Sequence, residues 1–236
     1  MTDKQKELLR DNEQLCDLQL DGLFLIQPDD VFHFGTDAVL LSNFAKLPKG
    51  ARVIDLGTGT GILPILLSAK TEAAHFTGVE IQEKAADAAK RNVIINGLEG
   101  KIDIIEGNIT DMTAKFGKSS FDAVVTNPPY KRSKSGIRSD DDAEYIARHE
   151  VSCTLEDIIK TASELLVPYG NFYMVNRPER LADAIETMRK YRIEPKMLQF
   201  VSKDSGKAPV MFLIHGVHLG GKNLKVLPSL HTSEEK

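Results

Sequence analysis

The chain has 236 residues and a mass of 26.1 kDa, enough for one sizeable buried core and within the range of a single α/β domain. Its composition, 42% hydrophobic and 27% charged, lies well away from the low-hydrophobicity signature of disorder. A net charge of −4 and a pI near 5.9 exclude a whole-molecule positive field, so any contact with RNA or DNA must come from a local patch.

The first fifteen residues are polar and charged, and no run approaches the roughly 18 apolar residues that a membrane span needs. Export and membrane anchoring are not expected. Cys16 and Cys153 stand far apart outside any C-x-x-C pattern, which argues against a disulfide framework and a zinc site and fits the reducing cytoplasm. Residues 18–27 read as a strand, and 36–44 as a helix that opens after the Gly35-Thr36-Asp37 turn. Residues 1–45 are expected to form an N-terminal extension packed on a catalytic domain spanning 46–236.

Short apolar runs rich in Val and Ile at 52–56, 76–81, 101–105 and 121–126 read as strands covered on both faces. Helical stretches separate them: 62–69 follows a glycine-rich turn, and 83–95 puts Ala86, Ala89 and Val93 on one face. A further helix starts at Thr154, where Thr-x-x-Asp is a capping signature and Leu155, Ile158, Ile159, Ala162, Leu165 and Leu166 form an apolar stripe. Pro168 and Gly170 are expected to stop it. A strand at 171–175 and a helix at 179–190 follow, then strands at 197–202 and 209–217, which should pair antiparallel because no crossover helix separates them. The expected fold is α/β, a doubly wound, mostly parallel, seven-stranded sheet.

Val53-Ile54-Asp55-Leu56-Gly57-Thr58-Gly59-Thr60-Gly61 runs from a buried strand through a glycine turn into a helix. The spacing is D-x-G-x-G-x-G and not the G-x-G-x-x-G of dinucleotide folds, since position 62 is Ile. A dinucleotide needs its pyrophosphate at a helix N-terminus, whereas Asp55 offers a negative group suited to an ammonium. Glu80 ends the next strand, where an acidic side chain can accept hydrogen bonds from both ribose hydroxyls, and Ile81 follows it. Asn108, beside Ile109, follows the third strand and suits either an adenine edge or the cap of the next helix. These residues fall at successive strand C-terminal ends, the crevice where open α/β sheets bind ligands. The plainer alternatives are a tight turn without a ligand and a surface carboxylate at a strand end.

Asn127-Pro128-Pro129-Tyr130 closes the fourth strand. Two prolines fix φ and remove donors, the Asn amide oxygen adds an acceptor, and the Tyr ring offers a flat stacking face. That set suits a planar amino group whose lone pair is tied up in conjugation; the alternative is a Pro-Pro turn. Lys131, Arg132, Lys134 and Arg138 follow, a basic loop that suits either phosphates or plain solvation. His215 and His218, three apart on an expected strand, face opposite sides, which disfavours a shared metal.

On these motifs, together with Phe32-His33-Phe34-Gly35-Thr36-Asp37-Ala38-Val39-Leu40-Leu41 and Gly78-Val79-Glu80, the chain resembles class I methyltransferases. The resemblance covers most of the chain and is to the bacterial family that methylates N6 of the adenosine beside the anticodon of a valine tRNA. It implies S-adenosylmethionine as cofactor, S-adenosylhomocysteine as product and tRNA as partner. It also implies that Asp55, Gly57, Gly59 and Glu80 hold the cofactor with Thr36 and Asp37 beside it, and that Asn127, Pro128, Pro129 and Tyr130 hold the target adenine. Gly61, Ile81, Asn108 and Ile109 complete the expected cofactor site, although many class I enzymes carry Asp where this chain has Asn108. Asn-Pro-Pro-Tyr also occurs in enzymes acting on protein glutamine, on guanine in ribosomal RNA and on adenine in DNA. About forty-five residues precede the cofactor domain, too few for the extra domains of the glutamine and DNA enzymes, so tRNA leads. An NAD-dependent oxidoreductase and a non-catalytic cofactor- or RNA-binding protein are the competing classes. The first has no use for Asn-Pro-Pro-Tyr, and the intact Asn127 speaks against the second.

Overall fold

The computed structural model describes residues 3–31, 35–128 and 153–233. A short helix α1 (Asp3–Leu8) leads into an antiparallel hairpin, β1 (Glu13–Asp17) and β2 (Phe24–Pro28), which forms a sheet of its own. The strand expected at 18–27 is thus corrected to a turn followed by a strand. Asp17 Oδ1 accepts the Gln19 N–H at 2.8 Å, and Leu23 N–H bonds the Leu20 carbonyl at 2.9 Å, which turns the chain before Phe24. Leu18, Leu20 and Leu23 mimic a strand in sequence because they pack on the core from this turn.

Side chains of a distant helix satisfy the backbone of β2. Asn92 on α4 (Glu83–Ile95) accepts from the Ile26 N–H at 2.6 Å and donates to its carbonyl at 3.0 Å. Asn96, one turn on, does the same for Phe24 at 2.9 and 2.8 Å. The Arg91 guanidinium grips both carboxylate oxygens of Glu13 at 2.6 Å, so the hairpin is tied to the helix by amides and a forked ion pair.

After α2 (Thr36–Phe44) the main sheet begins with β3 (Arg52–Leu56), β4 (His75–Glu80), β5 (Ile102–Glu106), β6 (Phe121–Thr126) and β7 (Leu166–Asn176), each parallel to its neighbour among these five. The connecting helices are α3 (Ile62–Lys70), α4, α5 (Met112–Phe116) and α6 (Leu155–Leu165); α7 (Leu181–Lys190) follows β7. The strands β8 (Ile193–Ser202) and β9 (Pro209–His218) pair antiparallel, giving the order β8-β9-β7-β6-β3-β4-β5. Two-residue strands β10 (Lys225–Val226) and β11 (Leu230–His231) add to these seven and cover the β8 edge. Successive residues supply opposite faces: Val53 and Tyr173 pack with α2 and α3, while Ile54 and Phe172 pack with α6 and α7. No helix among the described residues is long and apolar enough to cross a membrane.

The capping signature is realised, with Asp157 N–H donating to Thr154 Oγ1 at 3.1 Å and Thr154 N–H to Asp157 Oδ2 at 2.9 Å. The expected stop is corrected: α6 ends at Leu165, and Pro168 and Gly170 lie inside β7. Pairing with β6 jumps there from Phe121↔Leu166 to Ala123↔Asn171, and Tyr169 takes φ 64°. A bulge at the start of the strand accommodates the missing proline donor. Pro195 likewise sits at a register shift in β8, which begins at Ile193, ahead of the strand expected from 197.

Candidate active site

Parallel pairing sets Asp55 of β3 beside Gly78 of β4 and Val125 of β6, so the C-terminal ends of these strands open on one crevice. The glycine turn is pinned there by the N–H groups of Gly57 and Thr58, which both reach the Val79 carbonyl at 3.0 and 2.9 Å. Gly57 and Gly59 adopt φ 82° and 57°, conformations that a side chain disfavours, and a Cβ at either would meet nothing within 4 Å among the described residues. The space beside them is open. Gly61 differs: its φ is 85°, it caps α3, and a Cβ would touch Ala89 Cβ at 3.4 Å, so it serves helix packing. Gly78, which spacing alone does not single out, leaves room for Thr58, whose Oγ1 lies 2.8 Å from where its Cβ would stand.

Glu80, 4% exposed, accepts the Gly59 N–H at 2.8 Å on one oxygen and the Gln82 N–H at 3.0 Å on the other. It straps the turn, and each oxygen keeps a lone pair for a further donor. Asp55 is 1% exposed, and among the described residues neither carboxylate oxygen has a hydrogen-bond partner. Burial pushes its carboxyl up to about 7; the nearby Thr58 hydroxyl, short of a formed hydrogen bond, pulls weakly the other way, and the Glu80 charge adds to the rise.

On β6, Thr126 Oγ1 donates to the Leu56 carbonyl at 2.8 Å, tying the ends of β6 and β3 together. Asn127 Nδ2 then donates to Asp37 Oδ2 at 3.2 Å, while Asp37 Oδ1 accepts the Ala38 N–H at 3.0 Å. Asn127 Oδ1 is left buried without a partner among the described residues, and Pro128 beyond it is buried. Ninety residues separate Asp37 from Asn127, and no sequence pattern announces the contact. Thr36 is exposed at the start of α2.

Asn108 adopts the capping alternative, its Oδ1 accepting from Thr110 N–H and Oγ1 at 3.0 Å each. Ile109 packs on the core and Ile81 is 43% exposed. Pro129, Tyr130, Lys131, Arg132, Lys134 and Arg138, together with 32–34, lie outside the described residues. His215 bonds Asn171 Oδ1 at 2.8 Å and stacks on Tyr173, while His218 reaches the Val167 carbonyl at 3.2 Å. Three buried carboxylates, two open glycines and an amide oxygen without a partner among the described residues make a site suited to a ligand with a cationic head and hydroxyls.

Asp55 carries a cost in the ligand-free protein. Unfolded, its carboxyl ionises near 3.8; folded, near 7, so between these values the folded chain holds a proton that the unfolded chain has lost. Stability from this group therefore falls as pH rises through that window and stays lost above it, by on the order of a few kcal/mol. Asp55→Asn is expected to melt higher than the parent at pH 8, by roughly 2–4 °C for each kcal/mol recovered. Melting curves at pH 4 and pH 8 check this: a gap that does not widen with pH would contradict it.

The methyltransferase small domain family matches residues 28–194 of the chain. A tRNA1(Val) (adenine(37)-N6)-methyltransferase of Porphyromonas gingivalis is 32% identical over 206 residues, 79% of this chain and 80% of its own length. One of the same description from Bacteroides thetaiotaomicron is 31% identical over 182 residues, covering 76% and 74%. Among solved structures, a predicted O-methyltransferase of Agrobacterium tumefaciens superposes with TM-score 0.67 at 23% identity, covering 83% of this chain and 86% of that one, which shows the shared fold.

Proposed function

Since the chain belongs to the methyltransferase small domain family, we propose that it methylates N6 of an adenosine in tRNA with S-adenosylmethionine as cofactor. The observation that carries this reading is Asn127 Oδ1, buried and without a partner among the described residues, in the strand-end crevice that holds Asp55 and Glu80. The choice of tRNA follows the relatives, which act on adenine 37 of tRNA1(Val) by description and match along most of the chain.

Bound in the crevice, S-adenosylmethionine supplies an electrophilic methyl group and a neutral thioether leaving group. Asp55 would take its ammonium, giving this buried carboxylate a partner that no described residue supplies, and the lone pairs of Glu80 left by the Gly59 and Gln82 N–H groups would take the ribose hydroxyls. Gly57 and Gly59 let the ligand approach the main chain. Ile81, Ile109 and the Asn108 amide flank the adenine, and Thr36 lines the near side, while Asp37 holds the Asn127 amide. Asn127 Oδ1 and the Pro128 carbonyl accept the two N–H hydrogens of the target amine. That draws its lone pair out of the ring and aims it, so that rate comes from positioning and preorganised acceptors, and the cation formed on methyl transfer then loses one of these hydrogens as a proton to solvent. Pro129 and Tyr130 extend the grip, Tyr130 by stacking on the extruded base.

Lys131, Arg132, Lys134 and Arg138 follow this grip directly in an otherwise acidic chain, and in this reading they contact tRNA phosphates. Replacing all four by alanine is expected to lower tRNA affinity and flatten its salt dependence by about one unit of slope per lost contact, with cofactor binding unchanged. An unaltered slope in binding titrations would return the loop to plain solvation. The reading as a whole is tested by methyl transfer from labelled cofactor into fractionated cellular RNA, DNA and protein, with nucleoside analysis. Label in N6-methyladenosine of tRNA supports it, and label confined to protein glutamine or to guanine overturns it.

A further inference from the structure

We infer that Asp37 is the positioning residue that sets which way the Asn127 amide faces, and that this pairing is what suits asparagine rather than aspartate to position 127. The inference rests on the acceptor role proposed for Asn127. Asp37 sits in the first turn of α2, 4% exposed, far in sequence from the strand that carries Asn127. Its carboxylate is itself held: Oδ1 takes the Ala38 N–H at 3.0 Å, and this oxygen occupies space that a side chain at Gly35 would enter, 2.9 Å from where the Cβ would stand.

Oδ2 is thereby presented to Asn127 Nδ2 at 3.2 Å. A carboxylate only accepts hydrogen bonds, so the amide must offer it the NH2 group. A flipped amide would set two acceptor oxygens against each other in a buried place, an unfavourable contact in low dielectric. The carbonyl oxygen of Asn127 is therefore turned away from Asp37, and it is the atom left buried without a partner among the described residues. Orientation of the catalytic amide thus comes from a residue of the N-terminal segment and does not depend on substrate. Asn127→Asp would bring two carboxylates together where one donor and one acceptor now meet.

Four proteins test this: the parent, Asp37→Asn, Asn127→Asp and the double variant. Each is assayed for single-turnover transfer to tRNA at saturating cofactor, for cofactor affinity by calorimetry and for melting temperature without substrate. Asn127→Asp alone is expected to melt lower and to transfer roughly a hundredfold more slowly. Adding Asp37→Asn restores a donor facing a carboxylate, so the double variant should regain the lost melting temperature and at least about tenfold in rate, a non-additive result. Asp37→Asn alone should slow transfer by about tenfold while cofactor affinity changes less than about threefold. Additive losses in the double variant would overturn the pairing. So would Asp37→Asn if it weakened cofactor binding without slowing transfer at saturation, since that marks a cofactor contact. If the parent transfers nothing to tRNA, the substrate reading falls, and the melting temperatures alone decide: non-additive recovery supports the pairing and additivity overturns it.

Discussion

Asn127→Ala is expected to slow methyl transfer at saturating tRNA and cofactor by roughly a hundred- to a thousandfold, the cost typical of removing one preorganised acceptor or donor from a reacting centre. The amide oxygen it removes is already desolvated and has no partner among the described residues, so the protein meets the cost of its burial before substrate arrives. Its value grows as the target nitrogen leaves the plane of its ring and its N–H bonds become more polar. The loss should therefore appear in the transfer step and leave both affinities nearly unchanged. Removing the side chain also leaves Asp37 without its Asn127 contact, which costs stability and not binding. Rapid-quench single turnovers read the rate, and calorimetry and filter binding read the affinities. Near-parental transfer would mean that Asn127-Pro128 is only a turn at a strand end.

The second large effect concerns the cofactor. Asp55→Asn, which should be the more stable protein without ligand, should bind S-adenosylmethionine about ten- to a hundredfold more weakly, the worth of a charge-assisted contact of roughly 1.5–3 kcal/mol. Stability and function pull in opposite directions at this residue because no described residue forms a hydrogen bond or ion pair with the buried carboxylate, whereas the ligand's ammonium would. Glu80→Ala should weaken binding by a similar factor for two reasons: it removes acceptors for the ribose hydroxyls and releases the Gly59 N–H that fixes the turn. Calorimetric titration of both folded variants with S-adenosylmethionine and S-adenosylhomocysteine measures this, and parental curves would remove Asp55 and Glu80 from the site.

The parts of the fold that could be read from sequence are those whose residues are dictated by burial on two faces or by local turns. The strands Arg52–Leu56 and Phe121–Thr126 and the helices Thr36–Phe44 and Glu83–Ile95 stand where apolar patterning and the Gly35-Thr36-Asp37 turn put them. The hairpin of residues 13–28 was hidden because its second strand is held on one edge by the side chains of Asn92 and Asn96, more than sixty residues away. Pro168 and Gly170 read as a helix stop because local rules give them no other use, whereas strand pairing with β6 absorbs them in a bulge. At the site, Asp55, Gly57, Gly59 and Glu80 were legible because a strand–turn–helix spacing forces them to one sheet end. The packing of Gly61 on Ala89, the cap made by Asn108 and the hydrogen bond from Asn127 to Asp37 depend on tertiary neighbours that no spacing reveals.

The most direct measurement of the central claim uses tRNA1(Val) transcripts with adenine or guanine at nucleotide 37, the position named in the relatives. Each is incubated with the purified protein and labelled S-adenosylmethionine, then digested to nucleosides. The account predicts about one methyl per molecule, recovered as N6-methyladenosine from the adenine transcript, and none from the guanine transcript. Equal labelling of the two, or label in any nucleoside other than N6-methyladenosine, would contradict it.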